Sequence, residues 1–429
     1  MAIATIWVTG YLLGYRHLSN GFRSSKVMLW LWGAWVLFGT LQWLPLPVAL
    51  ADFLNPGAAR LAVGGGADNW TTLSLSPYES MLATAHSLTL MATFCLVLLL
   101  TRSRRRLRWL VGLFIMIGTM QALYGAFMSM SGLEYGFFAV KEHMHGLPTG
   151  TFVNRNHFAG FLVLCLCLGV GVLVGRLGST SAVDGRSRLR DTVRWLLSDK
   201  MRLRLYLVIM VIALVLTRSR MGNASFFIAL LVVGATGLWW FRSRSKPILV
   251  LLLSLIVIDV VIIGTWFGVE QVVDRVQQTA SMDMDSGEMQ DKERLDTDNE
   301  SLVLWREVPM VGVGGGAFAT VFPAWRRADM GAFYDHAHND YVEFLVEYGV
   351  IGFTLLASML MLTLIQCVRR IYDARSKYVA GICFGVTMGV VAALLHASVD
   401  FNLHIPGYSA YFVVLMALPW VRIGTDSRD

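Results

Sequence analysis

From Asp335 the chain reads Asp-His-Ala-His-Asn-Asp-Tyr, with His336 and His338 two residues apart and Asn339 and Asp340 directly after them. Imidazole titrates near neutral pH, so a histidine here suits the work of orienting or deprotonating an acceptor hydroxyl. The His-x-His pair lacks the i,i+4 geometry of a helical zinc site, and spacing supplies no third ligand, so metal is not the preferred reading. The plainer alternative is a structural histidine at the start of a helix. Arg218 and Arg220 stand in Leu-Thr-Arg-Ser-Arg-Met-Gly-Asn, a short turn between two apolar runs. Arginine at membrane depth is costly unless it snorkels or meets a partner, and a guanidinium fork matches phosphate oxygens, which makes a lipid diphosphate the natural partner. Arg155 and His157, flanked by Asn154 and Asn156, lie where another loop meets a span. Helix-start structure, with Asn156 as a cap, and substrate binding both account for them. Arg294, Arg306, Arg326 and Arg327 add positive charge that suits an anion-binding surface.

Two other patterns are weaker. Gly312-Val313-Gly314-Gly315-Gly316 satisfies a dinucleotide pattern in form, but no βαβ context or acidic ribose partner surrounds it, so it reads as a tight turn whose backbone approaches an anion or a neighbouring helix. The acidic run Asp283 to Glu300 does not fit a calcium loop, because Gly287 comes too early; it reads as a solvated helix or loop face. No cofactor is implied.

The elements that must position these residues are membrane spans. The 429 residues are 55% hydrophobic and 15% charged, with mean hydropathy +0.57, whereas soluble domains carry about 25% charged residues. Long unbroken apolar runs favour helices over a barrel, so the fold class is all-α, a polytopic transmembrane bundle of about 10–12 spans. The runs fall at about 27–47, 80–100, 109–130, 156–177, 204–217, 224–241, 247–267, 350–366, 379–397 and 408–423. Met1 to Gly14 lacks a basic leader and a cleavage site and reads as a first, short membrane segment.

Alternate loops concentrate arginine and lysine: Arg16, Arg23 and Lys26; Arg102 to Arg108; Arg186 to Arg204; Arg242, Arg244 and Lys246; Arg369 to Lys377. By the positive-inside rule these are cytoplasmic, and the intervening loops, including every candidate site residue, face outward, which in a bacterium means the periplasm. The expected organisation is residues 1–267 as N-terminal spans, 268–349 as a large periplasmic loop of short helices carrying the His-Asn-Asp motif, and 350–429 as C-terminal spans. Within that loop, Asn339 or Asp340 caps a short helix that Gly349 ends. The net charge of +7 is loop bias and does not imply nucleic acid. Cys95, Cys165, Cys167, Cys367 and Cys383 lie in or at the cytoplasmic ends of apolar segments, so no disulfide framework is expected.

Trp305-Arg306 through Pro309, Gly312, Gly314 and Phe318, followed by Ala337-His338-Asn339-Asp340-Tyr341 and Glu347-Tyr348-Gly349-Val350-Ile351-Gly352, resembles the O-antigen ligase and polymerase superfamily, which includes bacterial O-oligosaccharyltransferases. Thr217-Arg218-Ser219-Arg220, Asn154 through Gly160, and Ser74-Leu75-Ser76-Pro77-Tyr78 are similar to three further family segments. The resemblance implies an inverting, metal-independent transfer of a glycan from undecaprenyl diphosphate to a hydroxyl acceptor at the periplasmic face of the inner membrane. Arg220, Arg218 and Arg294 would then hold the diphosphate and His338 would assist the acceptor. Members carry about twelve spans, so it also implies that this chain starts near the first or second. The acceptor would be a growing glycan in a polymerase, the lipid A core in a ligase, or a protein hydroxyl in an oligosaccharyltransferase. The residues favour polymerase or ligase, since no soluble domain for protein recognition is present. A transporter of lipid-linked glycans is the alternative of another class, but it predicts paired broken helices that the sequence does not display.

Overall fold

In a bilayer interior every backbone N–H and C=O must find a partner within its own segment, so long apolar runs become helices. The computed structural model describes residues 1–61, 69–176, 198–240, 283–327, 334–373 and 376–423. Its apolar helices include Lys26–Trp43, Pro77–Leu100, Arg104–Ser131, Arg155–Arg176, Asp199–Leu216, Arg220–Trp240, Asp340–Asp373, Lys377–Ala397 and Pro406–Ala417. Six helices among the described residues are long and apolar enough to cross a membrane. The only strands described are two antiparallel pairs of two residues each, so the fold is all-α. The run at 247–267 and the basic residues Arg186, Arg188, Arg190, Arg194, Arg242, Arg244, Lys246 and Arg375 lie outside the described residues. All five cysteines are free thiols.

Helix Arg155–Arg176 is the centre of the bundle, buried along nearly its whole length. Helices Arg104–Ser131, Asp199–Leu216, Arg220–Trp240 and Lys377–Ala397 pack around it. Against Lys377–Ala397 the contact is backbone to backbone. A Cβ placed on Gly171 would come 2.3 Å from the Gly381 carbonyl oxygen, and one on Gly385 would come 2.6 Å from that of Cys167. Small residues permit this approach, which is the usual way membrane helices gain van der Waals contact when lipid is as apolar as the side chains. The rising numbers on one helix meet falling numbers on the other, so the two run antiparallel.

A second apolar cluster lies around the His-Asn-Asp motif, where Leu304, Val308, Val313, Phe318, Phe322, Val342 and Val346 pack with Ala58. The acidic run differs from the expected short helices. It forms one 25-residue helix, Asp283–Glu307, whose last turns carry Leu304 into this cluster. The glycine-rich run is a tight turn, as expected, and it serves a neighbouring helix: Val313 N and Gly314 N donate to the carbonyls of Val346 and Glu347 at 2.9 and 3.0 Å. Gln42, fully buried in the Lys26–Trp43 helix, locks the same junction, donating to the Val311 and Glu347 carbonyls and accepting from Gly315 N.

Gly349 has φ 59 and ψ −170, so it ends the regular turn that begins at Asp340, but the helix resumes at once and runs on to Asp373. A Cβ there would sit 2.3 Å from the Met310 backbone. Both the left-handed angle and the space require glycine.

Candidate active site

The motif helix starts where the sequence places it. Asn339 Oδ1 accepts from Tyr341 N at 3.1 Å and Val342 N at 3.4 Å, an N-cap that satisfies two otherwise orphaned donors. The Asn339 amide also donates to Asp298 Oδ2 at 3.1 Å, tying the motif to helix Asp283–Glu307. Arg294 precedes Asp298 by one turn and so shares its face. His338 stands just before the cap with φ 56, a left-handed angle uncommon for a residue with a Cβ. Burial lowers the proton affinity of this imidazole, and Arg294 and His336 add to the lowering, while Asp400 and Asp335 oppose it. The net direction is down from the ordinary histidine value, which leaves the ring neutral and able to accept a proton at neutral pH.

Phe401, in the turn after helix Lys377–Ala397, gathers three histidines. His336 stacks on its ring at 4.0 Å and 12°, His157 meets it edge-on at 4.7 Å, and His338 edge-on at 5.0 Å. Asp400 beside it is 2% exposed. Its carboxylate lies 3.5 Å from His157 Nε2 and 3.7 Å from His396 Nε2, and accepts from Phe401 N at 2.9 Å. Burial opposes ionisation, but His157 close by, then His396 and the Phe401 N–H, hold this carboxyl below the usual carboxylate range. The Asp400 carbonyl accepts from Asp340 N at 3.2 Å, joining this turn to the start of the motif helix.

A cationic corner follows from His157. Helix Arg155–Arg176 starts two residues earlier, and Asn154, not Asn156, caps it: Asn154 Oδ1 accepts from Asn156 N at 2.8 Å. Helix Arg220–Trp240 starts alongside. Ser219 Oγ caps it by accepting from Gly222 N at 3.2 Å, and a Cβ on Gly222 would come 2.6 Å from Ala159 Cβ, so the first turns of the two helices touch. Arg218, at φ 53, sits in the turn between helices. The charges of Arg218 and Arg220 reach and repel that of Arg155. Arg218 and Arg220 are exposed and Arg155 half-buried. Two helix N-termini and these guanidinium groups therefore converge on one region, an arrangement that attracts an anion.

Below the motif, helix Asp340–Asp373 turns three carboxylates, Asp340, Glu343 and Glu347, to one buried face. Each is paired within the chain. His404 Nδ1 bonds Asp340 at 2.7 Å, His336 Nδ1 bonds Glu343 at 2.6 Å, Ala337 N donates to Glu343, and Phe318 N to Glu347. His404 Nε2 lies 3.6 Å from Glu343 Oε1 and 3.5 Å from Glu347 Oε2, the grouping among the described residues whose spacing is compatible with a cation. Burial alone would lower the His404 proton affinity, but Glu343, then Asp340 and Glu347, raise it well above the ordinary value. The imidazolium itself supplies the positive charge, and the cluster reads as a salt-bridge network.

These acids and His86 line one end of a cavity of about 720 Å³. Glu79, Asp335 and His336 also line it, and the rest of the wall is mainly apolar, with Trp32, Trp35, Leu90, Phe353, Leu360 and Met416.

Of the residues singled out from sequence, Arg155, Arg218 and Arg220 come together, and His157 and Phe401 connect them to His338, His336 and Asp400. Arg294 joins from the side of Asn339. Asp340 turns away, into the carboxylate cluster. Arg306 is exposed and lies roughly 18 Å along the axis from Arg294 at 1.5 Å per residue, outside the site. Sequence reasoning missed Glu343, Glu347, Asp400, Phe401 and His404. Two signals were available: the spacing of Asp340, Glu343 and Glu347 on one helical face, and the polar density of the short stretch from His396 to His404 between two apolar runs.

No curated protein matches the chain significantly. Residues 205–357, which span the arginine turn and the His-Asn-Asp motif, match the family model Wzy_C, described as O-antigen ligase. This match, over about a third of the chain, supports the resemblance to the O-antigen ligase and polymerase superfamily and an O-antigen ligase-type membrane function in polysaccharide assembly.

Proposed function

We propose that the protein is an inverting glycosyltransferase that moves a glycan from undecaprenyl diphosphate to a hydroxyl acceptor, as an O-antigen ligase or polymerase working at the periplasmic face of a bacterial inner membrane. The observation that carries this reading is the convergence of Arg155, Arg218 and Arg220 at two helix starts, linked through His157 and Phe401 to His338. The acceptor oxygen attacks the anomeric carbon as the bond to the diphosphate oxygen breaks, and the acceptor proton passes to the His338 imidazole. Charge grows on the departing diphosphate, where fixed guanidinium groups stabilise it more in the transition state than before. Arg218 and Arg220 are assigned to that diphosphate with Arg155, while Arg294 is assigned to the side of the site nearer His338. The apolar cavity suits the lipid chain of a membrane-anchored substrate. The outward placement follows from the basic alternate loops, and the three-part division at 267 and 349 follows from the same pattern.

The test is release of polyprenyl diphosphate from a synthetic lipid-diphosphate-linked oligosaccharide by purified protein. His338→Ala and Arg220→Ala should each stay folded and lose at least about 100-fold in turnover. Wild-type turnover in both variants sinks the assignment. In cells, gene deletion separates the acceptors: single repeat units left on the core indicate a polymerase, and bare core with accumulated long lipid-linked chains a ligase.

A further inference from the structure

The general base must be aimed and must be stabilised once it carries the acceptor proton. His338 stands at φ 56, and its ring is held by the edge of Phe401 at 5.0 Å. Phe401 is placed in turn by Asp400, whose carboxylate accepts from the Phe401 N–H and whose carbonyl accepts from Asp340 N, two residues after His338. The same carboxylate reaches His157 at 3.5 Å, on the helix that begins with Arg155. We propose that Asp400 is a positioning residue for His338, fixing the Phe401 ring against which the imidazole rests and giving the imidazole an anionic neighbour as it takes up the acceptor proton. Asp400 takes no proton itself: the proton moves from the acceptor hydroxyl to His338 and the electron pair to the new glycosidic bond. This rests on the reading of His338 as the base.

The groups that face this pair are few enough to give signs. Arg294, Asp335 and His336 act on His338 together with Asp400, and His157 and His396 act on Asp400. Neutralising Asp400 removes the leading force that raises the proton affinity of His338, whereas removing His157 leaves the Asp400 charge less shared. A role confined to folding would lower rate or stability without moving the titration of the base in either direction.

The experiment is the pH dependence of kcat/KM for the full-length protein in detergent. A synthetic polyprenyl-diphosphate-linked oligosaccharide and purified lipid A core are supplied together, so that either polymerisation or ligation releases polyprenyl diphosphate. For Asp400→Asn the plateau rate should fall about tenfold or more, less than when a directly bonded aspartate is lost from a triad. Its acid limb should move down by about one pH unit, as expected for one charge removed at short range. Asp400→Glu should recover most of the position of that limb, and His157→Gln should move it up. An unchanged midpoint in Asp400→Asn, whatever its rate, overturns the proposal; if that variant does not fold, an unchanged midpoint in His157→Gln does so. His338→Ala tells the two readings apart. Turnover in that variant defeats the assigned base, whereas its inactivity beside an unmoved Asp400→Asn midpoint defeats the role of Asp400 alone.

Discussion

Arg155, Arg218 and Arg220 hold like charges side by side with two of them exposed, whereas Asp340, Glu343 and Glu347 are all buried and all bonded within the chain. Like charges gathered near a surface destabilise a fold slightly and attract a counter-ion from outside. Buried carboxylates satisfied by two imidazoles and by backbone N–H groups do the reverse: they hold one packing arrangement and leave no unmet demand. On the proposed reading, the difference separates charge offered to a ligand from charge used for structure.

The largest expected effect tests the cationic side. The double variant Arg218→Ala/Arg220→Ala should lose transfer by about 1,000-fold or more, while its melting temperature changes by no more than about 2 °C, because exposed charges contribute little to stability. A large drop in melting temperature would mean that the corner is structural. Next, Glu343→Ala should do the opposite. Leaving His336 and His404 without that carboxylate should cost about 3–5 kcal/mol, read as a fall in melting temperature and in yield of folded protein; an unaffected melting temperature would show that the network is dispensable.

A smaller effect comes from pH. His404 and His336 both have raised proton affinities in the folded protein, His336 through its hydrogen bond to Glu343 despite burial. Their stabilisation is therefore fully present below the ordinary histidine value of about 6.5 and is lost as pH climbs through the raised folded values. Melting temperature should fall with alkaline pH above neutrality, and Glu343→Gln should flatten that fall. The smallest effect is that of salt. Donor affinity, measured by competition with inorganic pyrophosphate, should weaken between 0.05 and about 0.5 M salt as exposed charge is screened, with melting temperature nearly unchanged.

Helix existence and fold class were legible because apolar length alone decides them in a membrane. The local parts of the site were legible in part: a cap at Asn339 or Asp340 directly after His338, and the turn carrying Arg218 and Arg220, are short-range features that a sequence displays, whereas the Ser219 cap was not read from it. What stayed hidden depends on contacts between distant segments. Phe401 is an ordinary aromatic residue until the fold brings His157, His336 and His338 to its ring. Gln42 likewise gains its meaning only from the carbonyls of Val311 and Glu347, far along the chain. The choice of Asn154 over Asn156 as cap turned on a shift of two residues in where the helix begins, which apolar patterning does not resolve.

The glycine contact between helices Arg155–Arg176 and Lys377–Ala397 acts as a gauge for the chemistry at its outer end. Because the two helices run antiparallel, the start of one, with Arg155 and His157, lies beside the end of the other, which delivers Asp400 and Phe401. The spacing between the Arg155 and His157 end and the Asp400 and Phe401 end is thereby constrained by the close backbone contact at Gly171, Gly381 and Gly385. A leucine at Gly385 would touch neither reactant, yet it would wedge the pair open and spoil the alignment of both.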